Sequence, residues 1–177
     1  MKQSAPRFAI AALAGLMLAG CTVQPLYAPS PKAETVRSAA LGSVYIEPVN
    51  ERPAQEVRNA LIFLMNGGAK QPADPAYTLS LDVTSVTESA LIVQLSARDG
   101  EPTSSNVVVT ATYKLTRSAD GTEIGSRRAS ATASYDISQQ EFANTRAERD
   151  AEKRAARETA EQLRALIAAD LSRAGAL

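Results

Sequence analysis

The chain of 177 residues contains no histidine and a single cysteine, Cys21. The first absence removes the imidazole base of Ser-His-Asp and Cys-His catalysis, and with it the usual zinc ligand. The second rules out an internal disulfide. Charge of one sign is also lacking: 19 basic residues face 19 acidic ones, whereas binding duplex nucleic acid needs a basic stripe. No Gly-rich phosphate loop precedes a predicted helix, because Gly67-Gly68 follows one instead. Glu47, Glu51 and Glu56 cluster, but at a strand end and a helix start they read as surface and helix N-terminal charges. Carboxylate or Ser-Lys chemistry stays formally open without a nucleophile motif to support it. The expectation is a chain with no catalytic residues, no metal, no cofactor and no nucleic-acid partner.

Long apolar runs are scarce as well. The longest, within Phe8–Ala19, follows the cations Lys2 and Arg7 and closes on Leu18-Ala19-Gly20-Cys21. It is too short for a membrane-spanning helix, which needs about 20 apolar residues. A positive start, a short apolar stretch and small residues at the end make a signal peptide. The Leu-Ala-Gly-Cys ending is similar to the lipobox of bacterial lipoproteins. Residues 1–20 are then expected to be removed, leaving Cys21 as an acylated N-terminus. An ordinary secretory signal with a chance cysteine is the competing reading. Since the signal holds two basic residues and no acidic one, the mature chain is slightly acidic and long enough for one domain.

Residues 21–42, with Pro29 and Pro31 among small polar residues, read as lipidated N-terminus and tether. The domain is expected over residues 43–172, followed by a short tail at 173–177. Ser43–Pro48 reads as a short strand stopped by its proline. Arg52-Pro53 then opens a helix with Val57, Leu61, Leu64 and Met65 on one side, ended by Asn66-Gly67-Gly68. Four stretches of period-2 alternation follow. They start at Tyr77, Leu91 and Val107 and, for the last, near Glu123, with its clearest alternation over Ala129–Tyr135 and Gly125 as a bulge. Thr87-Glu88-Ser89, Asp99-Gly100 and Asp120-Gly121 are the predicted turns.

Alanine dominates the buried side of the last strand, which lets a helix lie close, and helical spacing comes next. Ser138–Glu141 and Thr145–Glu148 are capping-box patterns. They predict a helical turn near Glu141–Ala143 and then a long helix from Arg146 to about Ser172. Its core stripe is Ala147, Ala151, Ala155, Thr159, Leu163, Leu166 and Ile167, with its charges on a solvated face. The predicted fold is α+β: a four-stranded, mostly antiparallel meander plus a short N-terminal strand, with two helices, one long and C-terminal, on one sheet face.

Three stretches resemble one family. Cys21-Thr22-Val23-Gln24-Pro25-Leu26-Tyr27 is similar to the Cys-Gly-Phe-x-Pro-Leu-Tyr start of the LptE family of lipopolysaccharide-assembly lipoproteins. Val44–Pro48, followed by Arg52 and Gln55–Leu61, resembles that family's first strand and helix. The strand ending at Tyr135 and the helix Ala147–Leu171 resemble its C-terminal half. Thr22-Val23 stands where the family has Gly-Phe. The resemblance implies a non-enzymatic outer-membrane lipoprotein facing the periplasm, whose partner is the large LptD-type β-barrel of lipopolysaccharide export and which also binds lipopolysaccharide.

A flat, Ser/Thr-rich outer sheet face fits a polar barrel lumen; on the residues alone a wet sheet face is the plainer reading, and only the family resemblance favours the lumen. Binding lipid A phosphates would need positioned cations. The candidates are Arg98, Lys114 and Arg117, beside the loops at residues 99–105 and 118–122, with Arg127 and Arg128 facing them from the last strand. Scattered solubilising charge is the plainer reading of each. An auxiliary lipoprotein of an ABC-type lipid transporter is the second functional reading, which the Pro25-Leu26-Tyr27 motif disfavours.

Overall fold

Two prolines organise the first unit of the fold. β1 (Val44–Ile46) ends just before Pro48, which has no N–H to continue a ladder, and Pro53 occupies the first turn of α1 (Arg52–Asn66), where a missing N–H costs nothing. Gly67, in the left-handed region at φ 60°, closes α1. The computed structural model describes residues 38–91 and 104–176. After α1 come β2 (Tyr77–Leu91), β3 (Ser104–Arg117), β4 (Glu123–Asp136) and the long α2 (Glu141–Arg173).

The four strands form one sheet in the order β1-β2-β3-β4. β2, β3 and β4 are an antiparallel meander, and β1 joins β2 in parallel through α1, with Val44 opposite Tyr77 and Ile46 opposite Leu79. Alternation puts Leu79, Val83, Val107, Val109, Ala111, Tyr113, Leu115 and the alanines 129, 131 and 133 on the buried face. α1 and α2 both cover that face and pack on each other. Ala151 and Ala155 of α2 are fully buried beneath this alanine-rich strand, so small side chains on both elements permit the close approach. Thr159 donates to the carbonyl of Val109 at 3.1 Å, satisfying a buried hydroxyl against the sheet. The α+β expectation and the placement of both helices on one face are borne out.

Several details differ from expectation. Thr87-Glu88-Ser89 is not a turn: β2 runs through it, with Thr87 opposite Val107 and Glu88 opposite Asn106. The triplet lacks glycine, proline and asparagine, and a β-branched residue beside a ready partner strand stays extended. The strand expected from Leu91 to Arg98 lies outside the described residues apart from Leu91, which ends β2.

No break separates a helical turn from α2. Asn144 clamps Ser138 by donating to its carbonyl at 2.8 Å and accepting from its N–H at 2.7 Å, while Thr145 donates within the helix to the carbonyl of Glu141. Neither capping box forms, and Gln140 precedes the helix without a side-chain cap. Residues 38–42, within the expected tether, are helical, and Leu41 is buried in the core.

The bulge near Gly125 is present. Leu115 pairs with Gly125 but Thr116 with Glu123, leaving Ile124 extra. Both Ile124 and Gly125 therefore sit on the buried side of the strand.

Candidate functional surface

The face of the sheet away from the helices is open along its length. Cross-strand pairing arranges it in rungs: Ser80, Lys114 and Ser126; Asp82, Thr112 and Arg128; Thr84, Thr110 and Ser130; Val86, Val108 and Thr132; Glu88, Asn106 and Ser134. Hydroxyls pair across the strands, Thr110 with Ser130 at 2.9 Å and Ser134 donating to Asn106 at 2.7 Å. The only large exposed apolar side chain on this face among the described residues is Val86, 53% exposed and opposite Val108. Most side chains on this face are short and hydroxylated, with Asp82, Glu88, Lys114 and Arg128 among them.

Of the predicted cationic residues, Arg98 and the lipidation candidate Cys21 lie outside the described residues. Lys114 is on the open face, ion-paired with Glu123 at 3.4 Å. Arg117 closes β3 and pairs with Asp120 at 3.2 Å across the β3–β4 turn. The N–H of Thr122 donates to Asp120 at 3.0 Å, which together with Arg117 holds that carboxyl below the usual range. Both exposed pairs are weak, with each cation free to exchange its partner. Strand alternation directs Lys114 to the open face and Arg117 to the opposite side at the sheet's end, so the two are neighbours in the hairpin without sharing a face.

Arg128 stands on the open face, its Nε 3.4 Å from the hydroxyl of Thr112. Arg127, expected beside it, does not face the loops. It is in phase with the inward alanines and turns under the sheet to Asp170 of α2, with Nε 3.1 Å from the carboxylate. Asp170 is 3% exposed and also takes the hydroxyl of Tyr113 and the guanidinium of Arg173. Desolvation by burial, then the hydrogen bond to Asp170, push the Tyr113 phenol well above its ordinary range, which keeps it the proton donor. The cluster ties the end of α2 to β3 and β4 and leaves the buried carboxylate fully partnered.

The Arg52-x-x-Gln55-x-x-Arg58 segment, part of the resemblance, turns out to be a clamp. Arg52 forms an ion pair with the largely buried Glu152 of α2 at 3.0 Å, its geometry short of a hydrogen bond. Gln55 donates to the carbonyl of Asn50, and Arg58 donates to the carbonyls of Ile46 and Glu47 at 3.0 and 2.8 Å. Together they fix β1 and α2 around α1.

Among the described residues no cluster of acidic or thiol groups could hold a metal ion, and no helix is long and apolar enough to cross a membrane. A family model for lipopolysaccharide assembly, LptE, matches residues 41–167, from the buried Leu41 to the last turns of α2. The chain belongs to the LptE family. Its role is accordingly in lipopolysaccharide assembly.

Solved structures share the fold of this LptE chain. One is a Caulobacter crescentus CB15 protein assigned as a lipoprotein, 22% identical, covering 78% of this chain and 97% of its own, with a TM-score of 0.64. Another is the rare lipoprotein B of Shewanella oneidensis, 12% identical over 73% of this chain and 95% of its own, TM-score 0.52. A minor lipoprotein of Acinetobacter baumannii is 16% identical over 72% of this chain and 89% of its own, TM-score 0.50. No curated protein sequence matches the chain.

Proposed function

We propose that this LptE-family chain is a non-enzymatic lipoprotein, anchored through Cys21 in the outer membrane and facing the periplasm. It serves as plug and assembly partner of the LptD-type barrel that inserts lipopolysaccharide at the cell surface. The observation that carries the reading is the family match over residues 41–167 joined to an open sheet face of paired hydroxyls. Such a face offers hydroxyl and amide groups to a polar lumen, with Asp82, Glu88, Lys114 and Arg128 as its charges. Several acyl chains at Cys21 hold the protein firmly, since each buried methylene contributes about 0.8 kcal/mol.

Lipopolysaccharide contact runs through Arg98, Lys114 and Arg117, and exchangeable ion pairs leave Lys114 and Arg117 available to phosphate.

Photo-crosslinking in cells tests the plug reading. Probes at Thr84, Thr110 and Ser130 on the open face should join a large outer-membrane β-barrel. Probes that join only periplasmic transporter components would overturn it.

A further inference from the structure

One long edge of the sheet has no partner strand among the described residues. β1 covers only Tyr77, Thr78 and Leu79 of β2. The N–H of Glu47 donates to Leu79 and that of Tyr77 to Ser43, whereas Ala76 accepts from Ser118 on the β3 side. Odd-numbered residues of β2 therefore aim their backbone groups away from β3. Beyond Leu79, the N–H and C=O of Leu81, Val83, Ser85 and Thr87 point outward with no hydrogen-bond partner among the described residues.

Exposed edges are usually guarded by lysine, proline or a bulge. β2 has neither lysine nor proline, and its irregularity comes only at Ser89/Leu91, past the free stretch. The β4 edge is guarded: Arg154 of α2 donates to the carbonyl of Ser134 at 2.8 Å.

Charge selects the occupant. The only charged side chains on β2 are Asp82 and Glu88, both on the open face, with Thr84 and the exposed Val86 between them. A second copy pairing antiparallel through this edge fits poorly. A two-fold axis at Ser85 sets Asp82 opposite the other copy's Glu88, and an axis at Thr84 or Val86 sets them diagonal, so like charges meet in each centred register.

We infer that the free edge of β2, from Leu81 to Thr87, is a docking site for an extended segment of another protein. That segment is added as an outer strand and carries Lys or Arg opposite Asp82 and Glu88 with an apolar residue against Val86. Main-chain hydrogen bonds hold such a strand, and alternate side chains specify it.

The test uses the full lipidated protein in detergent and two synthetic peptides of alternating Thr and Val. One has lysines spaced as Asp82 and Glu88 are; the other has glutamates in their place. Hydrogen exchange across residues 80–88 should slow by about tenfold with the lysine peptide only, and β4 should be unchanged. Ser85→Pro removes an outward N–H while sparing the bonds to β3, and should abolish the protection. If that variant does not fold, Asp82→Lys with Glu88→Lys should switch the preference to the glutamate peptide.

No protection, equal protection by both peptides, protection on β4, or concentration-dependent protection without peptide would each overturn the inference. None of these outcomes bears on the barrel assignment, which crosslinking from the open face tests separately.

Discussion

Gly125 and Asp170 occupy adjoining space that no side chain on the strand could share. A carbon added at Gly125 would stand 2.7 Å from Asp170 Cγ and closer still to a carboxylate oxygen. The backbone at Gly125 does not need left-handed geometry, so the requirement is purely steric. The bulge brings the strand up to the carboxylate at this point, and Arg127 reaches Asp170 from the same strand. Gly125→Ala should therefore destabilise the protein by about 2–3 kcal/mol, as overpacking against an immovable buried charge does. Denaturant unfolding measures this, and a loss under half a kcal/mol would show that the cluster yields.

Tyr113 should mark the alkaline limit of stability. Its phenol is protonated in the fold and raised above the value near 10 that it has when unfolded. A raised folded value contributes stability that is fully present below pH 10 and lost as pH rises toward the folded value, because only the unfolded chain releases the proton. Tyr113→Phe should cost about 2 kcal/mol at neutral pH, the worth of a hydrogen bond to a charged acceptor. It should also flatten the decline in stability above pH 10. A parallel decline in wild type and variant would contradict the assignment.

Arg58 holds the exposed edge of β1, occupying two successive carbonyls, while Gln71 accepts from the N–H of Ile46 at 2.7 Å. Arg58→Ala should cost about 1–2 kcal/mol and speed hydrogen exchange in β1 before the rest of the sheet. Arg58→Lys should recover little, since a single ammonium cannot span both carbonyls as the guanidinium fork does.

Much of this arrangement is legible in the chain. Pro53 and Gly67 bracket α1, and the period-2 runs place the inward residues of β3 and β4. The expected 87–89 turn and the helix break before Arg146 do not form for one reason: Ser, Thr and Glu are permissive, and a partner strand or a continuing helix decides between their local options. The Asp170 cluster carried a readable signal. Arg127 keeps the parity of Ala129 and Ala131, and Asp170 falls on the stripe of Leu163 and Ile167, so a cation and an anion occupy apolar positions on facing elements. What no local pattern encodes is that they meet, because that depends on how α2 crosses the sheet. The open face was readable as Ser/Thr-rich, but not its rungs, which depend on register.

The cationic residues invite a direct test. Arg98→Glu, Lys114→Glu and Arg117→Glu together should lower lipopolysaccharide capture at least about tenfold, the loss expected when charge-assisted phosphate contacts become repulsive. Since, among the described residues, Lys114 and Arg117 pair with exposed Glu123 and Asp120 alone, the thermal midpoint should move little. Unchanged capture by the folded triple variant would exclude these cations.

Affinity purification of the lipidated protein from detergent-solubilised membranes, with identification of what co-elutes near stoichiometry, tests the central claim most directly. The plug reading predicts a large outer-membrane β-barrel at a one-to-one ratio. ABC-transporter components in its place, or no barrel at all, would contradict it.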